Sequence, residues 1–456
     1  MSAEKTRSYS IDMCSGRIMG KMLIFAIPLM LSSILQLLFN AADVIVVGRF
    51  AGDNSLAAVG STSSLVNLLT NVFLGLSVGA NVCVAKYTGA GKEDGVSATV
   101  HTAVSLALIS GAMLTVIGLL GARTILTWMS SPPEVIDLSV LYLRIFFVGM
   151  IPNMLYNFGA AILRSVGDTR RPLYYLLFAG VINLILNLIF VIVFSMDVAG
   201  VALATIISQT ISAVLTIRCL MKERGAIRFE IRKLRIDVRI VREILRIGLP
   251  SGFQGLLFSL SNVIIQSAVN SFGATVVAAN SAAANIEGFV WVSMNAFHQA
   301  SITFTGQNYG AGKNDRVLHV MKDALICVML TGLILGRTVY HFGLNLLGLY
   351  TTNPEVAQIG LERIKWVCGL YFLCGMMDVM VGMLRGVGYS VMPMIVSLIG
   401  ACGLRIIWIF TLFQTERFHT PMYLYVTYPV SWGITFVFHV ICFIIIWRRI
   451  GKRADA

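Results

Sequence analysis

Long apolar stretches alternate with short polar segments along the whole chain. Four of them contain no Asp, Glu, Lys or Arg: residues 54–85, 173–196, 247–286 and 418–447. Each is long enough for at least one membrane-spanning helix of about 20 residues, and the stretch 247–286 can end one helix and begin another. The pattern therefore predicts an integral membrane protein that has the bilayer as its solvent.

The apolar stretches predict an all-α fold with twelve transmembrane helices, six in each half. In the first half we expect helices at about 20–48, 55–85, 97–121, 136–164, 172–196 and 199–220. In the second half we expect helices at about 243–271, 276–305, 317–342, 357–385, 393–414 and 421–447. An even number of spans returns the chain to its starting side, so the halves are predicted to be parallel repeats.

A duplicated sequence element supports this division. Residues 163–167, LRSVG, return as LRGVG at residues 384–388, and Pro28 and Pro250 keep almost the same offset. Duplication of a six-helix unit explains such a register. We therefore predict three segments, which are an N-terminal lobe (1–220), a basic cytoplasmic linker (221–242) and a C-terminal lobe (243–456).

Composition agrees with a membrane protein and excludes several other classes. Hydrophobic residues make up 57% of the chain and charged residues 12%, with a mean hydropathy of +0.81. Eight cysteines show no paired spacing, which implies neither a disulfide framework nor a metal site. No clustered nucleophile or metal motif is found, so we do not expect an enzyme, and we expect no cofactor.

The net charge of +13 could indicate nucleic-acid binding, but its distribution favours a topological role. Most of the Lys and Arg residues fall in segments on one side of the predicted topology. The positive-inside bias therefore predicts a multi-pass protein of the plasma (inner) membrane with both termini in the cytoplasm. Ten of these charges lie between Arg218 and Arg246. They either bind anionic lipid headgroups or fix the topology, and we favour the second interpretation.

Acids inside predicted spans are candidates for function, because a charge in the bilayer costs several kcal/mol unless it faces a cavity or a partner. Asp43, Glu287 and Asp378 meet this description. Gln36, Asn40 and Asp43 share one helical face, which predicts a water-lined stripe. Asp43 is either an ion-handling group or a hydrogen-bonded acid between helices, and the stripe favours ion handling.

Amide side chains extend this polar stripe through the first half. Four helices each carry an amide pair at i and i+4, namely Gln36/Asn40, Asn67/Asn71, Asn153/Asn157 and Asn183/Asn187. A single pair is typical of hydrogen bonds between membrane helices. Four pairs around one acid favour a hydrated cavity in the first half.

The second half offers another candidate pathway, and the first helix offers a hinge. Glu287 and His298 are eleven residues apart, close to three helical turns, so they are predicted to share a face. With Asp378 they form a candidate proton or cation pathway, although His298 alone more often bridges helices. Pro28 is predicted to kink or weaken the first helix, with simple packing adjustment as the alternative.

With these residues in view, the chain resembles the multidrug and toxic compound extrusion (MATE) family over about residues 20–447. The matching elements are Pro28 to Asp43, the segment 57–60 (AAVG), the YGAGK-type loops, the segment 163–168 (LRSVGD) and the segment 200–205 (GVALAT). The resemblance implies two lobes around a central cleft. It also implies export of cationic or amphipathic organic compounds in exchange for protons or sodium, by alternating access.

The resemblance also implies an ion site in the first lobe, made by Asp43, Asn183, Asn187 and Thr205. Asn187 departs from the family pattern, which often has Asp at this position, and Phe258 stands where some members have an acid. Losing those carboxylates weakens a sodium site, so we favour protons as the coupling ion. The expected partners are small organic cations or amphipathic drugs and the lipid bilayer, without nucleic acid, and we expect a monomer.

Two alternatives remain open. One is a flippase of a related fold for lipid-linked or anionic substrates. Such a protein needs several cations in mid-membrane, where the sequence offers few besides Arg144, Arg405 and Arg337. The other is a membrane receptor or scaffold without transport, which the repeat and the buried acids disfavour.

Overall fold

The computed structural model describes residues 9–129 and 132–454, and this part of the chain is helical with no β-strand. The first half forms six helices. They are α1 (Ile18–Phe50), α2 (Asp53–Gly89), α3 (Glu93–Trp128), the bent α4 (Pro133–Val148 and Met150–Ser165), α5 (Arg170–Leu188, extended by the π-helical turn Ile189–Val193) and α6 (Asp197–Lys222).

The second half repeats this order. Its helices are α7 (Val238–Asn270), α8 (Ala274–Gly310), α9 (Asn314–His341), the bent α10 (Pro354–Val367 and Phe372–Gly386), α11 (Val391–Ser397, the π-helical segment Leu398–Gly403, and Leu404–Phe410) and α12 (Pro421–Ala454). A short helix, Gly343–Leu347, lies between α9 and α10, and 3₁₀ turns follow α6, α11 and the first part of α10.

Eleven of these twelve helices are long and apolar enough to cross a membrane within the described residues. Nine qualify alone, and α4 and α10 qualify as bent spans, with bends of 48° and 42°. The twelfth, α8, has 37 residues but is diluted by amide and hydroxyl side chains. All twelve predicted helices are therefore present.

The contacts of the helices divide the chain into two compact units. Unit 1 contains residues 9–12 and Leu31–Gly252, and unit 2 contains Met13–Met30 and residues 253–454. The change of unit falls inside α1 and α7, in each case two residues after a proline, Pro28 or Pro250. The predicted lobe boundaries at residues 220 and 243 follow the sequence repeat instead, and they stay a prediction.

In unit 1, α2 and the first part of α7 pack at very short distance. Gly75 and Gly79 of α2 face Gly248 and Gly252 of α7, and a Cβ atom on any of the four would overlap the backbone of the other helix. Small residues spaced by four allow two helix backbones to meet in a bilayer, where lipid offers no hydrophobic drive for association. This contact fixes α2, one of the walls of the polar cavity described below.

In unit 2, α8 and α10 lie close together for a similar reason. Gly382 faces Ser301, and Gly386 faces Thr305, with no room for a Cβ atom in either place. The first part of α1 joins this group, because Phe25 packs edge to face on Phe304 with ring centroids 5.8 Å apart. The close approach brings the polar side chains of α8 and α10 within hydrogen-bonding reach of each other.

Candidate functional site

Unit 1 encloses a polar cavity of about 430 Å³ between α1, α2, α4, α5 and α6. The amide faces predicted from the sequence contribute much of its lining. Besides Asp43 and Thr205, the lining contains seven amides, which are Gln36, Asn40, Asn67, Asn153, Asn157, Asn183 and Gln209. Five helices thus direct polar groups to one volume that is large enough for water and small solutes.

Asp43 is the acid of this cavity. Its Oδ1 accepts a hydrogen bond from Nδ2 of the fully buried Asn187, and the same Nδ2 lies 3.3 Å from Oδ1 of Asn183. No Lys or Arg side chain of the described residues forms an ion pair with Asp43. The hydrogen bond given for this carboxylate comes from one neutral amide, and no counter-charge among the described residues fixes it in its ionised state.

Two residues of this site, Asn187 and Thr205, have oxygen atoms that can still accept a hydrogen bond. Oδ1 of Asn187 is buried and has no hydrogen-bond partner in the described part of the chain. Thr205 donates its hydroxyl proton to the carbonyl oxygen of Val201 at 2.9 Å, so its oxygen can still accept. Oxygen atoms of this kind can receive a proton donor or contact a cation.

The structure places the predicted first-lobe residues at or next to the Asp43 cavity. Gln36, Asn40, Asp43, Asn183 and Thr205 line the cavity, and Asn187 contacts the acid directly. Their role in ion coupling stays a prediction, as does the role of Pro28 as a hinge. The change of unit after Met30 shows only that α1 exchanges packing partners next to this proline.

A second cavity in unit 1, of about 750 Å³, lies beside the loops at the ends of α2, α5 and α6. Its lining includes Arg171 and Glu223, which form an ion pair, and Arg171 also pairs with the buried Asp168. These three charges compensate one another. The remaining acid of this lining, Glu93, is exposed, whereas the acid of the smaller cavity, Asp43, is partly buried.

In unit 2, Glu287 is part of a buried ion pair. The guanidinium of Arg363 binds it through two parallel hydrogen bonds of 2.7 Å, and a third N–H donates to Oδ1 of Asn280 at 2.6 Å. Both charged side chains are buried. A carboxylate held by such a fork stays ionised, and the guanidinium compensates its charge. Glu287 therefore differs in kind from Asp43.

Arg363 is a residue that the sequence analysis missed. A charged run in the first part of α10 consists of Glu362, Arg363 and Lys365. Such a run is typical of the membrane–water interface. Glu362 and Lys365 are exposed as that pattern predicts, whereas Arg363 points inward. The packing of α10 against α8 and α12 distinguishes Arg363 from the other two.

His298 has different partners from Glu287. Its Nδ1 lies 2.6 Å from the carbonyl oxygen of Asp378, and its Nε2 lies 3.3 Å from Nη1 of Arg385. A guanidinium only donates, so Nε2 accepts and Nδ1 carries the proton, which makes this histidine neutral. Arg385 also donates to Oε1 of Gln254 at 2.8 Å.

The predicted second-lobe pathway thus separates into two groups. Within the described residues no hydrogen bond links Glu287 to His298 or to the carboxylate of Asp378. Arg385, the arginine of the repeated LRGVG element, is buried and belongs to the His298 group. A pathway through these residues stays a prediction.

Comparisons with known proteins agree with this architecture. The model of the MatE family matches residues 28–189 and 250–411. The probable multidrug resistance protein YoeA of Bacillus subtilis is 26% identical and covers 94% of each chain. The FAD transporter of Shewanella oneidensis is 24% identical over 75% of this chain and 76% of that one. The structure of an outward-facing multidrug resistance MATE family transporter superposes with a TM-score of 0.90 at 21% identity, covering 99% of this chain and 100% of that one.

The two matched segments begin at the repeat-related prolines and together cover most of the chain. They confirm the predicted duplication, the all-α membrane fold with two six-helix repeats, and the resemblance found in the sequence. Since one family model accounts for both halves, the chain belongs to the MatE family of multidrug efflux transporters.

Proposed function

We propose that this protein is a secondary antiporter that exports cationic or amphipathic organic compounds in exchange for protons. Asp43 is the group that takes up and releases the proton. The observation that carries the proposal is an acid without a counter-charge, hydrogen-bonded to an amide inside a polar cavity that five helices form. A carboxylate in such a place changes charge without breaking an ion pair.

Asn187 can serve both protonation states of this acid. Its Nδ2 donates to Oδ1 of Asp43, an arrangement that suits the ionised carboxylate. After rotation of the amide, its unpartnered Oδ1 can accept a hydrogen bond from the protonated acid. The buried amide therefore has one orientation for the ionised form of Asp43 and another for the protonated form. Coupling requires a two-state element of this kind.

The ligand set favours protons over sodium. A sodium ion held here would find one carboxylate, the amide oxygens of Asn183 and Asn187 and the hydroxyl oxygen of Thr205. A second carboxylate, which would strengthen binding of a hard cation, is absent from the sequence at position 187. A proton needs only the one carboxylate.

Transport follows by alternating access, in which protonation favours one state and the organic compound the other. The compound need not touch Asp43, because linkage requires only that each ligand prefer a different state. Pro28 provides a weak point in α1, fifteen residues before the acid. We further propose a plasma-membrane protein with cytoplasmic termini that acts as a monomer.

The test is transport of a fluorescent organic cation into proteoliposomes under an imposed pH gradient or an imposed sodium gradient. Wild type should respond to the pH gradient, and Asp43→Asn should lose that response. Asp137→Asn serves as the matched control, because this acid of α4 is exposed and pairs only with the exposed Arg123. Proton-driven uptake that persists in Asp43→Asn, or uptake driven by sodium alone, contradicts the proposal.

A further inference from the structure

Arg405 is a buried cation whose hydrogen-bonding capacity is not filled. It lies inside the span of α11, two residues after the π-helical segment Leu398–Gly403, and is 4% exposed. Its Nε donates to Oγ of Ser431 at 2.8 Å. Its Nη2 is buried without a hydrogen-bond partner, and no carboxylate in the described part of the chain forms an ion pair with it.

The other buried arginines of unit 2 are better satisfied. Arg363 is held by Glu287 and Asn280. Arg385 is held by Gln254 and His298, and its Nε is buried without a partner in the described part of the chain. The spanning helices of unit 2 thus bury three arginines, whereas Glu287 is the buried acid among their described residues. Of the three arginines, only Arg363 forms an ion pair within the described residues. A buried cation without an ion pair is costly inside a membrane, and Arg405 has the fewest hydrogen bonds of the three.

Aromatic rings lie beside this guanidinium but do not supply the hydrogen-bond acceptor that it lacks. Its Cζ lies 4.3 Å from the ring centroid of Tyr428 and 5.5 Å from that of Trp432. The Tyr428 ring also lies 5.3 Å from Cζ of Arg363, so two cations share one aromatic face. A ring attracts the cation over its face but gives no acceptor to an N–H in the guanidinium plane.

Two more unpartnered donors lie on the same pair of helices. Nε1 of Trp408, on α11, and Oη of Tyr425, on α12, are both buried without hydrogen-bond partners in the described residues. Trp408 and Tyr428 pack against one apolar cluster. Nη2 of Arg405 and Nε1 of Trp408 can only donate, so the partner that Arg405 lacks is an acceptor, and an anionic acceptor also supplies the missing counter-charge.

We propose that Arg405 is an anion-binding site that takes the carboxylate of an aromatic organic compound. The planar guanidinium matches a carboxylate, and the partly buried ring of Tyr428 lies beside it for an aromatic group to contact. Arg144 and Arg337 offer no such site, because both are exposed. The inference adds an anionic group to the substrate chemistry of the transporter and to that extent rests on the proposed function.

The test measures binding directly, so its failure is distinguishable from a failure of transport. Isothermal titration calorimetry compares 1-naphthoate with naphthalene-1-carboxamide, which has the same rings and no charge. The purified protein is held in phosphatidylcholine nanodiscs. Wild type should bind the carboxylate more tightly, and Arg405→Gln should weaken that binding about tenfold or more, to the level of the carboxamide. Arg337→Gln should bind as wild type does.

Arg405→Lys keeps the proposal testable if the glutamine variant does not give monodisperse protein. The lysine retains the charge but lacks the planar fork, so it should weaken naphthoate binding by a smaller factor than Arg405→Gln and leave carboxamide binding unchanged. Equal binding of both probes to wild type, or unchanged naphthoate preference in either Arg405 variant, overturns the proposal. So does loss of naphthoate binding to wild type in chloride buffer or in phosphatidylglycerol nanodiscs, which would assign the site to an inorganic ion or a lipid headgroup.

Discussion

The polar groups inside the two units differ although their helices repeat. In unit 1, Asp43 lies in a cavity lined by many amides and hydroxyls, and no ion pair with it is formed by the described residues. In unit 2, buried arginines outnumber the buried acids. The position of the first half that corresponds to Arg363 is Tyr142, which lines the Asp43 cavity.

The glycine turns and the helix prolines, by contrast, are present in both halves. Gly167 and Gly388 both have φ of +92°, and Pro28 and Pro250 both precede a change of packing unit. The duplicated sequence thus specifies turns and helix breaks, whereas the interior side chains have diverged. An acid without a counter-charge can change protonation easily, while an acid in a fork with arginine cannot. The two interiors are therefore suited to different tasks.

The largest expected effect comes from breaking the buried pair of unit 2. Glu287→Gln or Arg363→Met should each lower the free energy of unfolding by about 3–5 kcal/mol, because each leaves its partner buried and unpaired. The double variant should lose much less than the sum. Denaturant unfolding in detergent measures all three. The exposed Glu362→Gln should change stability by less than about 0.5 kcal/mol, and additive losses would show that the pair is not coupled.

A second carboxylate beside Asp43 should make unit 1 sensitive to sodium. In Asn187→Asp the two acids repel each other, and a cation between them relieves that repulsion. We expect sodium to raise the thermal unfolding temperature of this variant, with an affinity about tenfold above that of wild type. Asn157→Asp, on another wall of the same cavity, is the control. Equal sodium responses in wild type and Asn187→Asp would remove Asn187 from the ion site.

The smallest expected effect concerns His298. Glutamine offers one donor and one acceptor in similar places, so His298→Gln should cost at most about 1 kcal/mol of stability. The pH dependence of transport should not move, because this histidine is neutral and faces a guanidinium. Transport rates across pH in proteoliposomes check this. A shifted pH profile would make His298 part of the proton pathway and weaken the contrast between the units.

The helices were predictable because each apolar stretch marks the part of a helix inside the bilayer. The helix ends that extend beyond the apolar stretches were not predictable. For α3 the sequence predicts residues 97–121, whereas the helix runs from Glu93 to Trp128. The amide faces of unit 1 were visible as i, i+4 pairs. The inward orientation of Arg363 and the isolation of Arg405 were not visible, because both depend on how α10, α11 and α12 pack.

The most direct test of the central claim counts protons released when the transporter binds tetraphenylphosphonium in weakly buffered detergent solution, scanned from about pH 5 to about pH 8. Wild type should release up to about one proton per bound cation, because binding favours the ionised form of Asp43. Asp378→Asn, which changes an acid of unit 2, should release the same number, and Asp43→Asn should release none. Proton release that survives in Asp43→Asn and disappears in Asp378→Asn would contradict the account and move coupling to unit 2.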